Sequence, residues 1–292
     1  MTHSRSAIIR IMEEEGLRPS RALGQNFVGD PNTVRRIARL AEVGPDSRVV
    51  EVGAGLGSLT LALAETGATV VAIEKDRHLV PVLSRLVRDV PAVTVIEADA
   101  MSLDWEALLA PGRWVLVANL PYNVATPLVV TVLERVPRIV RMLVMVQREV
   151  GLRLAARPGD DAYGAVSVKV SYWAHARVAG PVPAAVFVPR PNVESVLVSV
   201  ERLSDVAVSP DVASYPSICR LVNAGFAVRR KMLRRALGEL CTLATFEDAG
   251  IDPTSRAEEL GVEDWGRLAA AAPPFPAAPS RSSRPAEPAP GH

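Results

Sequence analysis

A chain of 292 residues, 49% hydrophobic and 22% charged, can bury a large core and a second, smaller one, which excludes a disordered polymer. A formal net charge of +1 says nothing for or against nucleic acid, so any basic surface must be local. Cys219 and Cys241 have no CxxC partner, which excludes a disulfide framework or a cysteine zinc site and fits a reducing compartment. No apolar run reaches about 18 residues and the first residues lack an apolar leader, so the expectation is a cytoplasmic protein with no membrane segment.

In chain order, residues 5–15 suit a short helix and 16–20 a break. Asp30 then reads as an N-cap with Pro31 in the first turn, opening a helix whose apolar face is Val34, Ile37, Ala38, Leu40 and Ala41. From residue 48 strands and helices alternate. Strands are expected at 48–52, 68–73, 93–96, 114–118, 139–145, 175–179 and 193–200, with helices at 56–65, 77–88, 127–135, 147–156 and 165–172. That alternation predicts an α/β fold: a mostly parallel sheet of seven strands covered by helices on both faces. Beyond residue 205 the pattern turns helical, at 211–222, 229–237, 243–249 and 262–271. The organisation expected is a large α/β domain over 1–205, a small all-α domain over 206–272 and a disordered Pro/Ala/Ser/Arg tail over 273–292.

The residues able to do chemistry gather at strand ends. Glu51-Val-Gly53-Ala-Gly55-Leu-Gly57 follows a strand and opens a helix, so the backbone can turn tightly and approach a ligand. Glu74 closes the next strand, where a carboxylate can take the ribose hydroxyls of a nucleoside; the bland alternative is a structural turn with Glu74 in solvent. Glu97-Ala98-Asp99-Ala100 closes the third strand, and Asp99 can accept from a purine amine or merely cap the next segment. Gln25 and Asn26, polar within Gly24-Gln25-Asn26-Phe27-Val28, can reach a ligand or form an ordinary loop.

Asn119-Leu120-Pro121-Tyr122 ends the apolar strand at 114–118. The Asn119 side-chain oxygen, the Leu120 carbonyl and the Tyr122 ring could together hold a planar amine, although Asn and Pro also favour plain turns. Phe187 sits in a loop stiffened by Pro189 and Pro191, which presents it either as a base-stacking ring or as ordinary core. Arg229, Arg230, Lys231 and Arg234, with Arg220 and Arg235, suggest one basic helix face through i,i+4 spacing, suited to a phosphate backbone or simply solvated.

In combination, LGQNF at 23–27, EVGAGLG at 51–57, IEKD at 73–76, EADAM at 97–101, NLPY at 119–122, MVQREV at 145–150 and FVPRPNVES at 187–195 resemble the ribosomal RNA adenine N6,N6-dimethyltransferases. RRKML at 229–233 and IDPTSRAEEL at 251–260 extend the likeness, which covers roughly residues 18–271. The resemblance implies a Rossmann-like class I methyltransferase fold and S-adenosylmethionine as methyl donor. It implies small-subunit rRNA, within a pre-ribosomal particle, as the partner of a monomeric enzyme that dimethylates two adjacent adenosines near the 3′ end of 16S rRNA. Its donor pocket would draw on Gln25, Asn26, Val28, Gly53, Gly55, Glu74, Lys75, Asp99, Ala100 and Asn119. Asn119, Leu120, Tyr122 and Phe187 would hold the target base, and Arg229, Arg230, Lys231 and Arg234 the RNA. The chain departs from the family in Val28, where leucine is usual, and around Met232, Arg234 and Arg235, which replace a more polar stretch. Rival readings are a large-subunit rRNA adenine dimethylase conferring antibiotic resistance, an NAD-dependent oxidoreductase, and a non-catalytic assembly factor.

Overall fold

Helix α1 (Arg5–Glu14), strand β1 (Phe27–Val28) and helix α2 (Pro31–Leu40) precede an alternating run: β2 (Arg48–Val52), α3 (Ser58–Ala64), β3 (Thr69–Glu74), α4 (Val80–Leu86), β4 (Val93–Glu97), α5 (Trp105–Leu108), β5 (Trp114–Asn119), α6 (Ala125–Arg135), β6 (Ile139–Gln147), α7 (Arg148–Ala155), α8 (Ala165–Trp173) and β7 (Ala174–Val182). Strands β8 (Phe187–Val188) and β9 (Ser195–Arg202) follow, then helices α9 (Tyr215–Ala227), α10 (Leu233–Ala236), α11 (Leu243–Ala249) and α12 (Val262–Ala271). The structure, a computed structural model, describes residues 2–20, 23–121 and 124–274. Tyr122 and residues 275–292 of the expected tail therefore lie outside the described residues.

Seven strands form one sheet in the order β4-β3-β2-β5-β6-β9-β7. The first five run parallel, while β9 enters antiparallel between β6 and β7. Side-chain alternation along each strand divides the core into two layers. Val50, Val52, Leu116, Ala118, Met142, Val144, Val146 and Val198 face α6 and α8 through Leu128, Val129, Val132 and Val170. Their neighbours Val49, Val117, Leu143, Met145 and Leu197 face α2 and α3 through Val34, Ile37, Ala38, Leu59 and Leu63. Continuous Val/Leu/Ile runs suit such strands because both faces are covered. Asp30 caps α2 as expected, accepting from the backbone N–H groups of Asn32 and Thr33, with Pro31 in the first turn.

A second ladder was not expected: β1 pairs antiparallel with β8, Phe27 opposite Val188 and Val28 opposite Phe187. This pairing corrects the reading of Phe187 as a presented ring. Phe187 is only 1% exposed and packs in the α2–α3 layer with Val28, Met145, Val182 and Leu197. The prolines that stiffen the loop begin only after Phe187, whose own backbone is held by strand pairing.

The four last helices close around Trp265, Phe246, Leu221, Leu233 and Leu237. Tyr163, Val168 and Tyr172, upstream of residue 205, belong to the same cluster, and the Tyr163 hydroxyl donates to the Leu260 carbonyl at 2.8 Å. The helical region is thus seated on α8. The single helix expected at 229–237 is also corrected. Helix α9 runs to Ala227, and α10 spans only Leu233–Ala236. Between them the backbone is claimed by the 253–256 segment: Leu233 N–H donates to Ser255 O at 2.8 Å, Arg234 N–H to Pro253 O at 3.0 Å, and Met232 bridges Arg256. The basic residues therefore do not share one continuous helical face.

Replacing Phe187 with alanine should lower unfolding free energy by about 3–5 kcal/mol, as for a buried core aromatic. Denaturant unfolding of the variant beside Phe187→Leu checks this, and a change near zero for Phe187→Ala would place the ring outside the core.

Candidate active site

Reversal of strand order on either side of the β2/β5 pair opens a crevice beyond their carboxyl ends. One cavity fills it, lined by Gly53 after β2, Glu74 at the end of β3, Asp99 beyond β4, Asn119 at the end of β5, and Asn26 and Val28 from the β1 segment. Gly53, Gly55 and Gly57 have φ of +74°, +57° and +80°, a region that side chains disfavour. At Gly55 an added Cβ would also lie 3.0 Å from the Phe27 ring. The glycine loop is pinned from below, since Gly53 N–H donates to Ile73 O at 2.8 Å.

Glu74 is the anchor of this corner. One carboxylate oxygen accepts from Gly55 N–H at 2.8 Å, and the other from the N–H groups of Lys75 and Asp76, both at 2.8 Å. Burial raises its pKa, against which these three bonds work. Glu51 shares the parity of Val49 and so points toward α3, where Thr60 lies; it is 1% exposed. Burial pushes its pKa up from 4.5 to about 8, the Thr60 hydroxyl opposes the shift and the Glu74 charge adds to it. Asp99 is the opposite case. Its carboxylate accepts from Lys75 Nζ at 2.7 Å and from Met101 N–H at 3.0 Å, and the lysine hydrogen bond, with the N–H bond behind it, holds its pKa below the usual range.

Asn119 is fixed by a bond from across the crevice: its Nδ2 donates to the Asn26 carbonyl at 2.9 Å. An amide held by its nitrogen leaves Oδ1 as the acceptor. Leu120 N–H donates to Met145 O at 3.0 Å, and Pro121 O accepts from Val124 and Ala125 at the start of α6. Among the described residues nothing donates to the Leu120 carbonyl. Two oxygens next to each other in the chain are therefore available at the cavity wall.

The structure brings Gln25, Asn26, Val28, Gly53, Gly55, Glu74, Lys75, Asp99, Ala100, Asn119 and Leu120 to one cavity. Gln25 is engaged at both ends of its amide, Oε1 accepting from Ser20 N–H at 2.8 Å and Nε2 donating to Asp76 at 2.7 Å; it clasps the segment before β1 onto the end of β3. Phe187 is absent from the lining, for the reason given above. Glu51 went unrecognised although it opens the glycine motif, since alternation along β2 marks it as inward-facing. The apolar clamp of Ile8, Ile11, Phe27, Leu56 and Val188, which covers the glycine loop with α1, joins segments far apart in the chain and left no local signal. In the helical region Arg229 is spent on Glu258 and on the Asp161 carbonyl at 2.8 Å. Arg230 and Lys231 are exposed, and Arg234 leans on the Met232 sulfur at 3.6 Å. Among the described residues no group of three His, Cys, Asp or Glu side chains is placed to hold a metal, and no helix is long and apolar enough to cross a membrane.

A family model described as ribosomal RNA adenine dimethylase matches residues 17–272. The chain belongs to that family. This dimethylase is 47% identical over 270 residues to the ribosomal RNA small subunit methyltransferase A of Thermobifida fusca (strain YX), covering 89% of this chain and 92% of the relative. It is 47% identical over 264 residues to the protein of the same name from Streptomyces griseus subsp. griseus, covering 87% and 89%. Among solved structures, a dimethyladenosine transferase from Plasmodium falciparum superposes with a TM-score of 0.69 at 21% identity, over 82% of this chain and 94% of that one. The 23S rRNA methyltransferase ErmE gives 0.66 at 24% identity, over 84% and 98%. At those identities the two structures establish a shared Rossmann-like methyltransferase fold.

Glu51 yields a pH prediction. Its folded pKa of about 8 lies above the ordinary 4.5, so between those values the folded state holds a proton that the unfolded chain has lost. Stability therefore falls as pH rises across that window and levels off above it. Melting temperatures from pH 5 to 8.5 should show this decline, with Glu51→Gln removing most of it and Glu74 retaining a smaller part of the same sign. An equal decline in wild type and variant would contradict a buried, protonated Glu51.

Proposed function

We propose that the chain transfers methyl groups from S-adenosylmethionine to N6 of two adjacent adenosines near the 3′ end of 16S rRNA, in an undermethylated small-subunit particle, as a cytoplasmic monomer. The observation that carries this reading is the Asn119 amide, held by Asn26 so that its oxygen is left as the acceptor, next in the chain to a Leu120 carbonyl to which no described residue donates, at a glycine-loop cavity. Relatives named for small-subunit rRNA, at 47% identity over most of their length, favour the small subunit over the large one.

The residues present suit the donor. Gly53 and Gly55, both at positive φ, leave two positions of the cavity wall without side chains. Glu74 uses about three of its four acceptor positions on backbone N–H groups and keeps one for a ribose hydroxyl. Asp99 has acceptor capacity left for a purine amine. Glu51 contributes to the same wall a buried carboxyl oxygen, Oε2, that has no hydrogen-bond partner among the described residues. When bound, the donor supplies an activated methyl group with a good leaving group attached.

The protein's part is to aim the nucleophile. The adenine N6 lone pair is delocalised into the ring, which makes it a poor attacker. Asn119 Oδ1 and Leu120 O accept its two hydrogens, which favours a more tetrahedral nitrogen whose lone pair points into the cavity. Orientation and fixed dipoles then supply most of the acceleration, and no residue of tuned pKa is required as a base because the nitrogen becomes acidic on alkylation. The base must leave its stack to reach this point. Tyr122, outside the described residues, keeps its proposed place beside the base, whereas the buried Phe187 does not. Arg230, Lys231 and Arg234 are proposed to meet phosphates, with Arg229 holding the Glu258 segment in position.

Mass spectrometry of small-subunit rRNA after incubating undermethylated particles with enzyme and labelled donor tests the reading. Two adjacent dimethyladenosines are expected, and label confined to large-subunit rRNA would overturn it. In the same assay Asn119→Ala should lose on the order of 10²–10³ in single-turnover rate while still binding donor; wild-type rates would remove Asn119 from the chemistry.

A further inference from the structure

Two motifs that resemble the family's, MVQREV at 145–150 and FVPRPNVES at 187–195, have no role in the chemistry above, yet the fold brings both to the catalytic strand end. Strand β6 lies beside β5 with Met145 opposite Asn119. Arg148 follows three residues later, roughly 10 Å along an extended chain. It is the first residue of α7 and is exposed. From the other side, β8 pairs with β1. The last pair of that ladder sets Val188 against Phe27, the chain neighbour of Asn26, whose carbonyl holds Asn119, and Pro189 follows Val188. Arg190 is the next residue and is exposed. The two segments are stitched together, since Arg148 N–H donates to Glu194 O at 2.9 Å.

Among the described residues neither the Arg148 nor the Arg190 guanidinium has a protein partner, whereas Arg5, Arg36, Arg138, Arg141 and Arg202 are spent on backbone carbonyls. Arg190 lies in a polar hollow with Asn192, Pro183 and Pro191. Glu194 lines the same hollow, so one cation and one anion share it, with Arg148 joined to it through the Glu194 carbonyl. Planar guanidiniums on a proline-stiffened loop and a helix start are suited to bidentate phosphate contact.

We propose that Arg148 and Arg190 form a phosphodiester grip on the catalytic domain, holding the RNA strand on either side of the adenosine delivered to Asn119. This rests on the rRNA-methylating reading and adds a contact surface separate from the helical region. Phosphate contacts fix register without reading bases, which is what a target of two neighbouring adenosines requires: the strand must be held while it is advanced by one nucleotide.

The test is methylation of undermethylated small subunits by wild type, Arg148→Gln, Arg190→Gln, the double variant and Glu194→Gln, at several salt concentrations. Each lost arginine should raise KM for the subunit on the order of tenfold and lower the slope of log affinity against log salt by about 0.7. The saturated rate for the first methyl and donor affinity should stay at wild-type values, and Glu194→Gln should lower KM. Donor titration also confirms that each variant is folded. Unchanged KM and slope in the double variant, or a lost saturated rate at unchanged KM, would overturn the grip. Absence of small-subunit methylation by wild type would instead overturn the underlying reading.

Discussion

A single hydrogen bond, from Asn119 Nδ2 to the Asn26 carbonyl at 2.9 Å, decides what the crevice can do. A free carboxamide can present either end to a ligand. Committing its nitrogen to the protein makes the oxygen the exposed end and removes a rotational choice that a substrate would otherwise have to pay for. Asn26 is in turn positioned by the β1–β8 ladder, by its own Nδ2 bond to Gly24 O at 3.1 Å and by the Gln25 clasp onto Asp76. A short antiparallel pair outside the main sheet thereby sets the orientation of an amide at the end of a central strand.

Glu74 plays the matching role for the cavity floor. One carboxylate joins the glycine loop to the turn after β3, so loop shape and acid position cannot vary independently. Desolvation opposes its charge and three backbone dipoles support it. Glu51, with less support, sits at the neutral end of that balance. Asp99, half in solvent and paired with Lys75, remains a carboxylate. Three acids within one crevice thus differ in how readily they ionise because burial and partners differ around each.

The parallel sheet was legible because each buried strand is a run of branched apolar residues followed by Gly, Glu, Asp or Asn, and those terminal residues are the ones that chemistry needs. The start of α2 was legible because Asp30-Pro31 carries its own capping chemistry. Phe187 was misread because a residue beside prolines looks presented; its partner Val28 lies 159 positions earlier, and nothing local records that pairing. The break between Ala227 and Leu233 was misread for a similar reason. Lysine and arginine there are good helix formers, and the backbone leaves the helix only because residues 253–256 offer it better-placed carbonyls. Gln25 and Arg229 have the residue types expected of ligand contacts, and tertiary partners already engage both. The strand-end residues singled out in the sequence line one cavity, whereas the availability of each polar group depended on neighbours distant in the chain.

A crystal structure of the enzyme with a bisubstrate ligand, joining an adenosine N6 to a donor analogue, is the most direct measurement of how the target amine is held. The expected result is N6 within hydrogen-bond distance, about 2.7–3.2 Å, of both Asn119 Oδ1 and Leu120 O, with Asn119 Nδ2 still bonded to Asn26. A complex in which that amide has turned, or in which N6 meets neither oxygen, would contradict it.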